Sequence, residues 1–154
     1  SGTSISPRLV LSAAHVCIAP HMNVNRYKTH IKVIKLDVEA DLCLLEANAN
    51  LFTEWATIPE TTTEDLAYEE VVVVGYKYSA FWVSKEGITI PDKVVGIGNT
   101  IVTTIESGNP GISGGAVFLR DTLQLVGVPT MVIREPERRV LIVPISTIRK
   151  FLGS

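Results

Sequence analysis

Val71-Val72-Val73-Val74 is an apolar run long enough for one buried strand and too short for anything larger. It falls well below the ~18 apolar residues of a membrane-spanning helix. The rest of the chain repeats the pattern: brief apolar stretches closed by glycine, proline, asparagine or aspartate. Short strands with frequent turns and one late helix define an all-β architecture. At 154 residues the chain can hold one solid core, or two small barrels sharing an interface.

Gly2–Ser6, a Pro7-Arg8 turn and Leu9–Ser12 read as a hairpin, and Ala13–Val16 as a helical turn at its end. His30–Leu36 partly alternates polar and apolar residues, as a half-buried strand does. Asp41 opens a short buried strand, Leu42–Glu46. Periodicity then fades from Ala47 to Tyr68, where Pro59 and Thr61-Thr62-Thr63 mark an irregular connection. That places a boundary between a first unit, 1–60, and a second, 61–154. Strands resume at Glu70–Tyr78. Gly87, Pro91, Gly96 and Gly98 are expected to break the next stretch into short strands and turns. Further strands are expected at Ile101–Ile105, Ala116–Leu119, Leu123–Val128 and Arg139–Val143. The tail Ser146–Leu152 reads as a short helix with Ser146 as N-cap and Arg149 and Lys150 at the favourable end of its dipole.

Composition excludes several functions. A net charge of −2 leaves no basic footprint for nucleic acid. No leader segment is visible, and no initiator Met, so the chain reads as a processed form or an excised domain. Three scattered histidines and two cysteines lack metal-ligand spacing, so no metal and no cofactor are expected. Gly96-Ile97-Gly98 is only a fragment of a dinucleotide fingerprint. Cys17 and Cys43 are no disulfide framework and are expected to be two buried free thiols, which weakly favours a reducing, cytoplasmic setting.

The chemistry lies in Gly111-Ile112-Ser113-Gly114-Gly115. Glycines allow positive φ and close backbone approach, so a serine among them can sit on a tight turn beside converging N–H groups. A serine hydroxyl also needs a base. His15, at the end of Ser12-Ala13-Ala14-His15, follows small residues that let an imidazole rest against a cleft. His21 sits in a Pro/Asn-rich loop and His30 opens a strand. A third group must orient the imidazole. Asp41 enters a buried strand and suits that role; Asp37, beside Val38-Glu39, is its rival. The order His, Asp, Ser excludes the α/β-hydrolase pattern, in which the serine precedes the histidine.

Taken in that order, Ser12–His15, Asp41–Leu45 and Gly111–Gly115 resemble the chymotrypsin-like serine proteases, nearest to the HtrA/Deg type. Asn109-Pro110-Gly111-Ile112-Ser113-Gly114-Gly115 is similar to the serine motif of that type, and Leu141–Ser146 to its strand-Pro-helix ending. The resemblance implies two antiparallel six-stranded barrels with a short C-terminal helix and the site between them. The first would lack an opening strand, since only fourteen residues precede His15. It implies a serine endopeptidase acting on polypeptides, with His15 as base, Asp41 as orienter and Ser113 as nucleophile. The N–H groups of Gly111 and Ser113 would form the oxyanion hole.

Ile112 stands where digestive members carry an aspartate, which excludes activation by ion pairing with a freshly cut N-terminus. Ser107 stands six residues before the serine, where trypsin-like members carry the aspartate of the specificity pocket, so a small or medium apolar P1 residue is expected. Leu125–Thr130 would pair with substrate by strand addition, with Gly127 and Thr130 near the pocket rim. Pro129 removes one donor there. No PDZ-like region lies within the chain. Two alternatives share these motifs: a viral or phage polyprotein-processing protease, and a catalytically silent binding module on the same fold.

Overall fold

The structure, a computed structural model, describes residues 1–18, 31–76, 88–98, 101–103, 112–133 and 139–153. Its first unit is built from two hairpins. Strands β1 (Gly2–Ser4) and β2 (Leu9–Ser12) pair antiparallel, as do β3 (Ile31–Asp37) and β4 (Leu42–Ala47). They form a four-stranded sheet in the order β1-β2-β4-β3. This is a half-barrel, open at β1 and β3 among the described residues. Between β2 and β3 lies the four-residue helix α1, Ala14–Cys17.

β4 is inner in this sheet and apolar on both faces, so its sequence is a continuous run rather than an alternation. Leu42 and Leu44 join Leu11 in the main core, while Cys43 and Leu45 pack with Cys17 on the other side.

The second unit is a closed antiparallel barrel, in the order β10-β7-β6-β5-β8-β9. Its strands are β5 (Glu70–Gly75), β6 (Ile88–Ile97), β7 (Ile101–Thr103), β8 (Ala116–Leu119), β9 (Leu125–Ile133) and β10 (Arg139–Pro144). In β5 the valine run alternates after all: Val71 and Val73 are fully buried, and Val72 and Val74 only partly. The core they enter is continuous with Leu11, Leu42 and Leu44 of the first sheet, so the two units share one apolar interior.

Three local expectations are corrected. Pro91 and Gly96 do not divide Ile88–Ile97, which is a single ten-residue strand. Among the described residues β7 pairs with Val94–Ile97 alone and the partner of Pro91 is Val72 on β5, so the proline's missing N–H costs no described ladder bond toward β7. The irregularity falls instead between Val94 and Gly96, where the register shifts. The terminal helix α2 runs Ile145–Gly153, so Ser146 lies in its first turn rather than capping it. The Ser146 hydroxyl pairs with the Thr63 hydroxyl at 2.7 Å. Finally, Cys17 and Cys43 are joined in a disulfide, not free, and the argument for a reducing compartment loses its premise. Their Cα atoms are 6.5 Å apart, within bridging range, because α1 folds back onto β4.

The connection from Asn48 to Glu69 carries one 3-10 turn, Thr63–Leu66, and is otherwise irregular. It is tied down by backbone and side chain: Ala56 N–H donates to Ser4 O (2.9 Å), and Arg149 Nη1 donates to Pro59 O (2.8 Å) and Thr61 O (2.7 Å). Arg149 therefore anchors the linker to α2 instead of serving the helix dipole alone. α2 buries Ile145, Ile148 and Phe151, spaced to share one face, and each such side chain stabilises the fold by about 1.5–3 kcal/mol. Lys35 Nζ lies 5.3 Å from the Phe151 ring centroid, a further link between β3 and α2.

Candidate active site

Asp41 occupies the last position of the β3–β4 turn, at φ 57°. Aspartate tolerates the left-handed region better than most residues. The turn is stabilised by the other acid, whose Oδ1 accepts from Ala40 N–H (3.0 Å): this is Asp37. The two aspartates thus divide the work, and Asp41 is turned toward α1.

Its carboxylate receives donors from two elements. Oδ1 accepts from the His15 backbone N–H at 2.9 Å, and Oδ2 meets His15 Nδ1 at 2.8 Å. The Thr130 hydroxyl of β9 also donates to Oδ2. An ionised carboxylate only accepts, so Nδ1 carries the hydrogen and Nε2 of the neutral imidazole keeps its lone pair. The His15 side chain is 49% exposed and that of Asp41 20%. The imidazole therefore faces the solvent side while its carboxylate partner is half-enclosed. His21 and His30 lie outside the described residues.

Ser113 is presented on a four-residue turn, closed by Gly115 N–H donating to Ile112 O at 2.9 Å. Gly114, the third residue, has φ 83°, which a type II turn requires at that position. A side chain on Gly114 would also overlap Ser1 O and Ser12 Oγ. The turn is thereby pressed against the first sheet, and Gly114 N–H donates to Pro129 O (2.9 Å) on β9. Ser1 N donates to Ser113 O (2.9 Å), and Ser12 Oγ donates to Ser1 O (2.7 Å). The serine turn is held from both sheets. Ile112 is buried in the core beside Gly75.

The Ser113 hydroxyl is half-buried and donates to Thr130 O at 3.4 Å, a long bond that is easily exchanged. Thr130 thus touches both ends of the constellation, Asp41 through its hydroxyl and Ser113 through its carbonyl. The sequence pointed to Thr130 only as a rim residue; its alternation in β9, one position past Pro129, is the signal that would have turned it toward Asp41. Gly127 is buried, and a Cβ there would fall 2.2 Å from Ile142 Cγ2, so it has a packing reason to be glycine. Ser107 and Gly111 lie outside the described residues.

A half-barrel and a closed barrel with a His–Asp pair and a turn-borne serine between them define the trypsin-like fold. A family model for the trypsin-like peptidase domain matches residues 1–128, most of the chain, and the chain belongs to that family. Among solved structures, a serine endoprotease from Yersinia pestis superposes with a TM-score of 0.74 at 21% identity. The match covers 99% of this chain and 55% of that one, so the chain spans just over half that protein's length. At this identity the likeness carries the fold. No curated protein matches the chain.

Proposed function

We propose that this chain is a serine endopeptidase in which Ser113, His15 and Asp41 form the catalytic triad. The observation that carries the reading is the Asp41 carboxylate, which binds His15 on one side and Thr130, the neighbour of Ser113, on the other. Ser113 Oγ attacks the scissile carbonyl carbon while His15 Nε2 takes its proton. The N–H groups of Gly111 and Ser113 stabilise the oxyanion, each such donor being worth about 2.7–4 kcal/mol. His15 then protonates the leaving amine, and water hydrolyses the acyl-enzyme by the reverse proton path.

Substrate adds as a strand to β9. Pairing of β8 with β9 reaches only Gly127, so Met131–Ile133 keep an edge open among the described residues on that side. Main-chain bonds along such an edge give affinity with little sequence demand. With serine rather than aspartate at position 107, six residues before Ser113, the expected preference is for a small or medium apolar P1 residue.

Cleavage of a peptide library by the wild type beside Ser113→Ala tests activity and preference together. Both cleavage and fluorophosphonate labelling should vanish in the variant. Labelling that survives the substitution overturns the assignment.

A further inference from the structure

We propose that the Cys17–Cys43 disulfide is a positioning element of the His15–Asp41 pair, so that catalysis depends on its oxidation state. This rests on the serine peptidase reading for its activity readout, though not for its structural one. Cys17 follows His15 by two residues on α1, and Cys43 follows Asp41 by two residues on β4. The bridge therefore joins α1, which carries His15, to β4, which Asp41 leads into, two residues beyond each member of the pair.

Among the described residues α1 has few other ties. It is four residues long, its N-cap is Ala13, and it has no side-chain cap bond. A single helical turn is unstable alone, because nucleation fixes several residues for one bond. Among the described residues its other ties to β4 and the turn before it are the packing of Cys17 with Leu45 and the bonds of His15 N–H and Nδ1 to the Asp41 carboxylate, with Ala14 buried beneath. Asp41 itself sits at the end of a turn in left-handed geometry, so its direction is set locally by β4. With the bridge cut, α1 can rotate on β4 and carry the imidazole off the carboxylate. Displacements of about 1 Å in a catalytic group cost up to roughly a hundred-fold in rate.

The chemical step is thiol–disulfide exchange with a dithiol. Its thiolate attacks the sulfur of Cys17, the less buried of the two residues at 8% exposure against 0% for Cys43. Cys43 leaves as a thiolate and takes a proton. The second thiol of the reagent then displaces Cys17, giving two protein thiols and a cyclic disulfide. Two electrons and two protons pass from reagent to protein.

The experiment compares three forms of the full chain: oxidised, reduced with dithiothreitol and alkylated, and Cys17→Ala/Cys43→Ala. Intact mass reports the bridge, circular dichroism and melting report the fold, and the variant supplies the open form if native protein resists reduction. The open forms, still folded, should lose roughly ten- to a hundred-fold in kcat with KM little changed. Reoxidation before alkylation should restore the rate. In proton NMR the downfield Nδ1–H signal of His15 should be present only in the oxidised form. Equal kcat and an equal His15 signal in bridged and open forms would overturn the proposal, as would a purified protein whose mass shows two free thiols that air or glutathione disulfide cannot join. If the bridged protein neither cleaves nor labels, the peptidase reading fails, while the His15 signal still decides whether the bridge holds the pair.

Discussion

Thr130 donates its hydroxyl to Oδ2 of Asp41, so a residue of the closed barrel completes the environment of a carboxylate that belongs to the open sheet. The same residue offers its carbonyl to Ser113 Oγ. The two halves of the site, one on each sheet, therefore share a single contact residue. Removing the hydroxyl with Thr130→Val leaves shape and β-propensity largely intact. A hydrogen bond to a charged group contributes about 1.5–3 kcal/mol, so kcat/KM should fall roughly ten-fold or somewhat more. Thr130→Ser should keep most of the activity. Steady-state cleavage of one peptide by the three proteins is the measurement.

Asp37 and Asp41 flank one turn and compete for one role on sequence grounds, yet their bonds separate them. Asp37 accepts from Ala40 N–H within the turn; Asp41 accepts from His15. Asp37→Ala should cost about 1 kcal/mol of stability, as loss of a local side-chain-to-backbone bond does, with kcat unchanged. Asp41→Asn should preserve the melting temperature within a few degrees but lower kcat by about 10⁴-fold, since an amide stabilises the wrong imidazole tautomer. Measuring both quantities on both variants distinguishes the roles; a reversed pattern would reassign the orienter to Asp37.

Gly127 offers a clean separation of packing from specificity. A methyl at that position would overlap Ile142 Cγ2 on β10, and overpacking of a barrel interior costs about 1–3 kcal/mol. Gly127→Ala should therefore lower the midpoint of chemical denaturation. The P1 preference of the folded variant should match that of the wild type. A changed preference at unchanged stability would return Gly127 to the pocket rim.

How far the sequence reaches depends on whether the deciding interaction is local. The first hairpin, the helical turn after it and the strand after Asp41 follow from runs of four to six residues and lie where those runs put them. The pairing of His15 with Asp41 was legible for the same reason, since each sits in its own short motif. Pro91 misled because a proline looks like a break, yet here it keeps register with Val72 on β5 within one strand. Ser146 misled because its hydroxyl had a better partner in Thr63, 83 residues away. The disulfide is the sharpest case: two cysteines without a framework read as free thiols, and only the fold of α1 onto β4 brings the sulfurs together. Thr130 is similar, a hydroxyl whose meaning depends on a carboxylate in the other sheet.

Gly114 carries the most constrained backbone of the site, and its substitution tests how the serine turn is held. Two independent effects oppose any side chain there. Its φ of 83° lies in the region that L-residues rarely adopt. A Cβ would also meet Ser1 O, Ser12 Oγ and Ala13 N, all of them on the first sheet or leading from it. Gly114→Ala must either flatten the turn or push the two sheets apart. Strain in that φ region costs about 1–3 kcal/mol, and the overlap adds to it, so the variant should melt several degrees below wild type. The turn also fixes the Ser113 N–H, so fluorophosphonate labelling of the protein that remains folded should slow by at least ten-fold. Gly115→Ala makes the comparison sharper. Its clash is with Val74 O inside the closed barrel, so it should destabilise comparably while leaving the contact with Ser12 untouched. Equal labelling rates for Gly114→Ala and wild type at matched folded fraction would show that the first sheet does not set the geometry of the nucleophile.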